Sequence, residues 1–211
     1  GGVMDTSERR FEDEIEYSLT HFGASEFDLY EYRSPSGYDR ELGLYPQDLL
    51  DFVRETQPQE WARLERIHGL KAGEKFCKRV ARELEQRGVV EVLRRGVEDL
   101  GRRFELVFFA PGSDLNEQLA EKYWANRMTV VRQLRYSTRN ENSVDTVLFV
   151  NGIPVVTLEL KNPLTGQTYR DAIDQYKRSR SASEDLFRLN RRAVVHFAVD
   201  TDEAWMTTKL A

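Results

Sequence analysis

Two hydrophobic periodicities divide the chain near residue 100. Before it, apolar residues recur at helical spacing. After it, apolar runs of strand length alternate with helical stretches. Residues 6–22 predict an amphipathic helix, with Phe11, Ile15, Leu19 and Phe22 on one face, Thr6 or Ser7 as N-cap, and acids in the first turns. Residues 27–33 predict a short strand broken by Ser34-Pro35-Ser36-Gly37. Helices follow at 47–56 and 59–68, divided by Pro58, which biases Gln57 away from the helical region. Two more are expected at 74–87, ending before Gly88, and at 89–100, ending before Gly101. Trp61, Leu64, Ile67, Phe76, Val80 and Leu84 are the expected core of this helical half.

Beyond Gly101, residues 104–109 form an apolar run ended by Ala110-Pro111-Gly112, as a buried strand would be. A helix at 115–126, capped by Ser113 or Asp114, leads to strands at 128–137, 143–150 and 154–161. A helix at about 168–180 and a strand at 193–199 close the pattern. This order predicts an α/β fold with a core of mixed sheet flanked by helices. A right-handed crossover makes the last strand parallel to its predecessor. We expect a single domain over 1–211, with a helical insertion at about 45–100 and a core at about 101–200. The first helix should pack on that core.

Composition narrows the class. The 211 residues suit one large domain, and no internal repeat is present. No apolar run approaches the length of a membrane helix, and residues 1–20 lack a signal-peptide core. A single cysteine, Cys77, cannot form an internal disulfide, so a cytoplasmic location is expected. His21, His68 and His196 lack metal-ligand spacing. Disulfide scaffolds, membrane proteins and zinc modules are therefore excluded.

The net charge of −5 hides an uneven distribution. Residues 1–60 carry 15 acids and 5 bases, whereas 122–139 carry five bases and no acid, and 161–192 carry eight bases against four acids. The two basic windows can attract phosphates or be solvated faces. Arg132, Arg135, Arg139, Lys177, Arg178 and Arg180 are the candidate phosphate contacts. They would give an affinity that is independent of sequence and falls with salt.

The segment from Ser143 to Lys161 carries the chemistry. Two apolar runs meet at Asn151-Gly152, a hairpin signal, yet Asp145, Glu159 and Lys161 interrupt them. Charges inside apolar strands are costly unless paired or metal-bound. Alternation puts Glu159 and Lys161 on one face. A two-residue loop would turn Asp145 away from them. A three-residue loop with Gly152 in a bulge would set Asp145 opposite Thr157, on the Glu159 face. We expect the odd-length loop or an equivalent bulge. The converging groups then form either a hard-oxygen Mg²⁺ site, with Lys161 offsetting charge on a scissile phosphate, or a buried ion pair that stabilises the sheet. Gln133 and Asn162 are candidates to brace them, and His196 is expected as a hydrogen-bonded core histidine.

Asp145 with Glu159-Leu160-Lys161 resembles the PD-(D/E)xK nuclease motif, with Val144 at the proline position. The surrounding residues are more specific. Arg132-Gln133, Tyr136-Ser137, Ser143-Val-Asp, Leu148-Phe-Val-Asn-Gly-Ile-Pro-Val-Val, Glu159-Leu-Lys-Asn-Pro and Ala172-Ile-Asp-Gln-Tyr176 together resemble the N-terminal nuclease domain of the restriction (motor) subunit of type I restriction–modification enzymes. Phe11-Glu12, Phe52 with Thr56-Gln57 and Trp61, and Thr201-Asp202-Glu-Ala-Trp-Met206 extend the likeness over about residues 7–211.

The resemblance implies a Mg²⁺-dependent endonuclease acting on double-stranded DNA, with Mn²⁺ as a substitute. Its partners would be the methylation and specificity subunits, with no membrane. It implies a triplet of Asp145, Glu159 and Lys161, metal assistance from Glu12, and a role for Gln175 at the head of a glutamine-x-x-x-tyrosine element whose tyrosine position holds Ser179. No phosphate-loop motif occurs in these residues, so ATP is expected only in a motor lying C-terminal in a longer chain. Two rivals stay open. One is another nuclease of the same superfamily acting in repair or junction resolution. The other is a non-catalytic module that docks the motor on its partner subunits.

Overall fold

A computed structural model of the chain describes residues 30–109, 117–161, 168–179, 186, 192–193, 195–199 and 204–208. The expected helix at 6–22, and with it Glu12, lies outside them, as do Asn162 and Arg180.

A six-stranded mixed sheet carries the second half of the chain. Its strands are β1 (Glu31–Tyr32), β4 (Met128–Arg135), β5 (Ser143–Val150), β6 (Ile153–Leu160), β7 (Val195–Val199) and β8 (Ala204–Thr207), and the order across the sheet is β1-β4-β5-β6-β7-β8. The pairs β4–β5, β5–β6 and β7–β8 are antiparallel, whereas β1–β4 and β6–β7 are parallel. The parallel β6–β7 pair is the one the crossover required, and its connection contains the helix α6 (Tyr169–Ser179). Strand β8, which places Trp205 opposite Ala198, was not anticipated. Its four residues are too short to show a period.

The helical half builds a lobe from α1 (Pro46–Thr56), α2 (Pro58–His68), α3 (Ala72–Arg87) and α4 (Val89–Arg95). Pro46 and Pro58 open the first two helices at positions where the missing N–H costs nothing. On α3, Ala72, Phe76, Cys77, Val80 and Leu84 form one buried stripe, packed with Phe52, Trp61, Val92 and Phe104. Burial drives the Cys77 thiol pKa up to about 12, so Cys77 behaves as an inert core residue. Ile67 is 64% exposed rather than core, because the last turn of α2 borders an open groove lined also by Arg63, Leu100 and Arg102.

The fourth helix stops at Arg95 rather than reaching residue 100. Gly96, at φ +69, reverses the chain where a Cβ would lie 2.2 Å from the Phe104 carbonyl oxygen, so only glycine fits. The chain then forms a small hairpin, β2 (Val97–Asp99) against β3 (Arg102–Phe104), with Leu100 and Gly101 both at positive φ in its turn. The strand expected at 104–109 ends at Phe104, because side chains take up the backbone groups that follow. Gln57 both donates to and accepts from Glu105, and Asn126 does the same with Phe108. The helix expected at 115–126 is seen as α5 (Glu117–Trp124). Among the described residues, no helix is long and apolar enough to cross a membrane.

The lobe and the sheet meet at the tip of the β5–β6 hairpin. Ile153 packs into the lobe's core, while Val131, Val147 and Phe149 pack with Tyr176, Tyr38 and Tyr45 in a second core on the sheet. Asn151 is wholly buried between them. Its Nδ2 donates to the Leu106 carbonyl and to Asn126 Oδ1, both at 2.9 Å, and its Oδ1 accepts from the Arg127 N–H at 2.7 Å. The Gly152 carbonyl accepts from the Tyr45 N–H at 2.8 Å. Asn-Gly is thus both a hairpin turn and the joint between two cores.

Candidate active site

The geometry of the site begins with the turn of that hairpin. Asn151 (φ +48) and Gly152 (φ +78) form a two-residue turn that pairs Val150 with Ile153 and Phe149 with Pro154. The register then shifts, so that Leu148 pairs with Val156, Val147 with Thr157 and Thr146 with Leu158. The loop therefore has two residues, and of the two expected alternatives it is the equivalent bulge, at Val155, that is present. Carried one step further, this register puts Asp145 opposite Glu159, not opposite Thr157.

A second irregularity faces the first. Gln133, in β4 between the pairs Arg132–Thr146 and Leu134–Val144, has φ +49. This brings its Nε2 to 3.3 Å from Asp145 Oδ1, and its Oε1 accepts from the Ser143 hydroxyl at 3.4 Å. The other oxygen of Asp145 accepts the Leu160 N–H at 2.8 Å, replacing a ladder bond between β5 and β6. Asp145 is thereby tied to the residue between Glu159 and Lys161. Glu159 is fully buried, and Lys161 is half-buried, with its own N–H given to the Val199 carbonyl at 2.8 Å.

Behind β6 runs a chain of buried polar groups. Tyr176 Oη donates to the Phe197 carbonyl at 3.0 Å, and Thr157 Oγ1 lies 3.0 Å from Tyr176 Oη and 2.6 Å from His196 Nδ1. With the tyrosine proton committed, only one direction satisfies every contact: His196 Nδ1–H donates to Thr157, and Thr157 donates to Tyr176. His196 is the hydrogen-bonded core histidine expected, and burial lowers its pKa to about 4, so it is neutral at pH 7. The chain ties β6, β7 and α6 together two residues from Glu159.

The remaining candidates are dispersed. Gln175 is half-buried on α6, and Lys177 and Arg178 are exposed there, with Arg178 4.0 Å from Asp174. Arg132 is half-buried in the middle of β4, Arg135 is exposed at its end, and Arg139 lies in the turn that follows. These bases form two groups, one at the β4–β5 connection and one on α6. Sequence reasoning missed Arg40 and Glu141, which join Arg135 in an ion cluster. Arg40 was hidden in the acidic first window, and the acid-free window ended two residues before Glu141. Among the described residues, no three histidine, cysteine or acidic side chains converge on one metal position.

Comparison with known proteins places these features in a family. The model of the type I restriction enzyme R protein N terminus matches residues 46–211. The "type I restriction enzyme EcoprrI endonuclease subunit" of Escherichia coli is 30% identical over 128 residues, which is 58% of this chain and 39% of the relative. The chain thus spans well under half the length of that relative.

Proposed function

Because the chain belongs to the type I restriction enzyme R protein N-terminus family, we propose that it is the nuclease module of such a subunit, hydrolysing phosphodiester bonds of double-stranded DNA with a divalent cation. The observation that carries this reading is the bond from the Leu160 N–H to Asp145, which ties the first carboxylate of the motif to the residue between Glu159 and Lys161.

The donor set fits Mg²⁺, with Mn²⁺ as a substitute. Asp145 and Glu159 are two carboxylates at opposed positions of one hairpin, and Mg²⁺ binds through one or two carboxylates while water and phosphate oxygens fill its other positions. Bound there, the cation would supply Lewis acidity toward water and a phosphate oxygen. The protein's own groups do the rest. The Leu160 N–H and the Gln133 amide fix the Asp145 carboxylate. Lys161 sets a positive charge where the scissile phosphate gains negative charge. Gln175 orients the substrate or Lys161, and Glu12 adds a further carboxylate. The bases of the β4–β5 connection and of α6, with Arg180 and Arg132, hold the DNA backbone without reading sequence. Recognition and methylation belong to the partner subunits on this reading, and ATP to motor domains of the parent subunit.

Plasmid cleavage tests the proposal in the parent subunit assembled with its methylation and specificity partners. Lys161→Ala is expected to lower cleavage by about 10²–10³-fold, the usual cost of removing a group that stabilises transition-state charge. Normal cleavage by that variant would remove Lys161 from the mechanism.

A further inference from the structure

Arg40 and Arg135 reach the same carboxylate from different parts of the chain. Arg40, in the turn after β1, holds Glu141 through both nitrogens, with Nη1–Oε1 at 3.1 Å and Nη2–Oε2 at 3.4 Å. Arg135, at the end of β4, holds Glu141 Oε2 at 2.8 Å. Arg40 Nη1 also donates to the Ser137 carbonyl at 3.2 Å, which fixes the guanidinium whether or not the glutamate is present. Two cations thus face one anion.

The clamp borders a cleft of about 440 Å³ lined by Pro35, Ser36, Tyr38, Gln133 and Ser143 together with the two arginines. Gln133, which lines this cleft, reaches to Asp145, and Ser143, beside it, donates to Gln133. Arg135 pairs across the sheet with Ser143, two residues before Asp145. By strand rise that is roughly 7 Å, comparable with the distance between adjacent phosphates of one DNA strand. Glu141 is 65% exposed, and among the described residues its carboxylate is held by these two arginines alone, so an incoming anion can displace it. The Arg40 hydrogen bond and the charges of Arg40 and Arg135 hold its carboxyl below the ordinary range, so it is ionised whenever the clamp is closed on it.

We propose that Arg40 and Arg135 form a binding site for a backbone phosphate of the DNA strand being cut, and that Glu141 occupies this site as an internal phosphate mimic until DNA displaces it. The inference rests on the nuclease reading above and adds to it a phosphate subsite beside the scissile position. A phosphodiester presents two charged oxygens to planar guanidinium donors much as a carboxylate does, so the exchange keeps the charge balance of the clamp. Glu141 then weakens non-specific DNA binding, restraining a nuclease whose specificity resides in other subunits.

The test is the anisotropy of a short fluorescent DNA duplex titrated with the chain in EDTA, across a series of KCl concentrations. Glu141→Gln is expected to tighten binding by about two- to fivefold, the range for release of exposed ion pairs. Arg40→Ala and Arg135→Ala should each weaken binding and lower the salt slope by about one. Adding Glu141→Gln to the double arginine variant should change nothing, whereas a glutamate with a merely structural role would act regardless of the arginines. Unchanged or weaker binding by a folded Glu141→Gln variant would overturn the clamp while leaving the nuclease reading intact. Failure of the parent chain to bind the duplex at the lowest salt would overturn both.

Discussion

Asp145 accepts the backbone N–H of Leu160 at 2.8 Å, so a catalytic candidate on one strand is held by the main chain of the strand that carries the other two. An asparagine can still accept that bond through its amide oxygen, but it cannot supply a charged ligand. Asp145→Asn is therefore expected to keep the fold and lose metal-dependent cleavage. Asp145→Ala strands a partly buried N–H and should in addition cost about 1–3 kcal/mol. Thermal unfolding of the two variants separates these effects, and equal destabilisation by both would contradict the role given to the Leu160 bond.

His196 predicts a pH dependence. Its pKa is lowered to about 4 in the folded chain from the ordinary 6.5, so the unfolded chain binds more protons between those values. Its contribution is complete above about pH 6.5 and is lost as pH falls toward 4, amounting to about 3 kcal/mol at the low end. Urea unfolding between pH 4 and 7.5 should show a steeper acid loss for the parent than for His196→Asn. Parallel profiles would mean that His196 does not titrate in this way.

Gly152 and Gly101 both have positive φ but differ in surroundings. A Cβ on Gly152 would lie 2.3 Å from the Tyr45 carbonyl oxygen and 2.9 Å from the Leu49 nitrogen, whereas nothing lies within 4 Å at Gly101. Gly152→Ala is expected to cost more than about 3 kcal/mol, from backbone strain and displacement of α1. Gly101→Ala should cost about 1–2 kcal/mol from strain alone. Chemical denaturation would rank them, and a similar cost at both would contradict the tight joint.

Asn151 supplies the other half of that joint. Replacing it by alanine leaves the Leu106 carbonyl and the Arg127 N–H without their partner. A loss of about 2–4 kcal/mol is expected. If the joint couples the lobe to the sheet, near-UV signals of Trp61 in the lobe and Trp205 in β8 should melt together in the parent and apart in Asn151→Ala.

Much of this architecture is legible in the residues themselves. Strand β5 and the helical starts follow from periodicity and proline placement, and the parallel β6–β7 pair follows from the crossover rule. What failed has physical causes. Gly101 reads as a helix stop but is the turn of a small hairpin, because Gly96 had already ended the helix by its closeness to Phe104. The need for a loop of odd length or an equivalent bulge was legible in the spacing of Asp145 and Glu159, but which of the two the chain uses was not, and it uses the bulge. Gln133 was recognisable as a brace, but its left-handed backbone was not. The Arg40–Glu141–Arg135 cluster joins residues about a hundred positions apart, which no local window of charge can reveal.

Metal binding tests the central claim most directly. Mn²⁺ or Mg²⁺ titrated calorimetrically into the chain, into Asp145→Asn and into Glu159→Gln should show binding in the parent and none in either variant, all three with the same secondary structure by circular dichroism. Undiminished binding in both variants, or none in the parent, would contradict a metal site shared by Asp145 and Glu159.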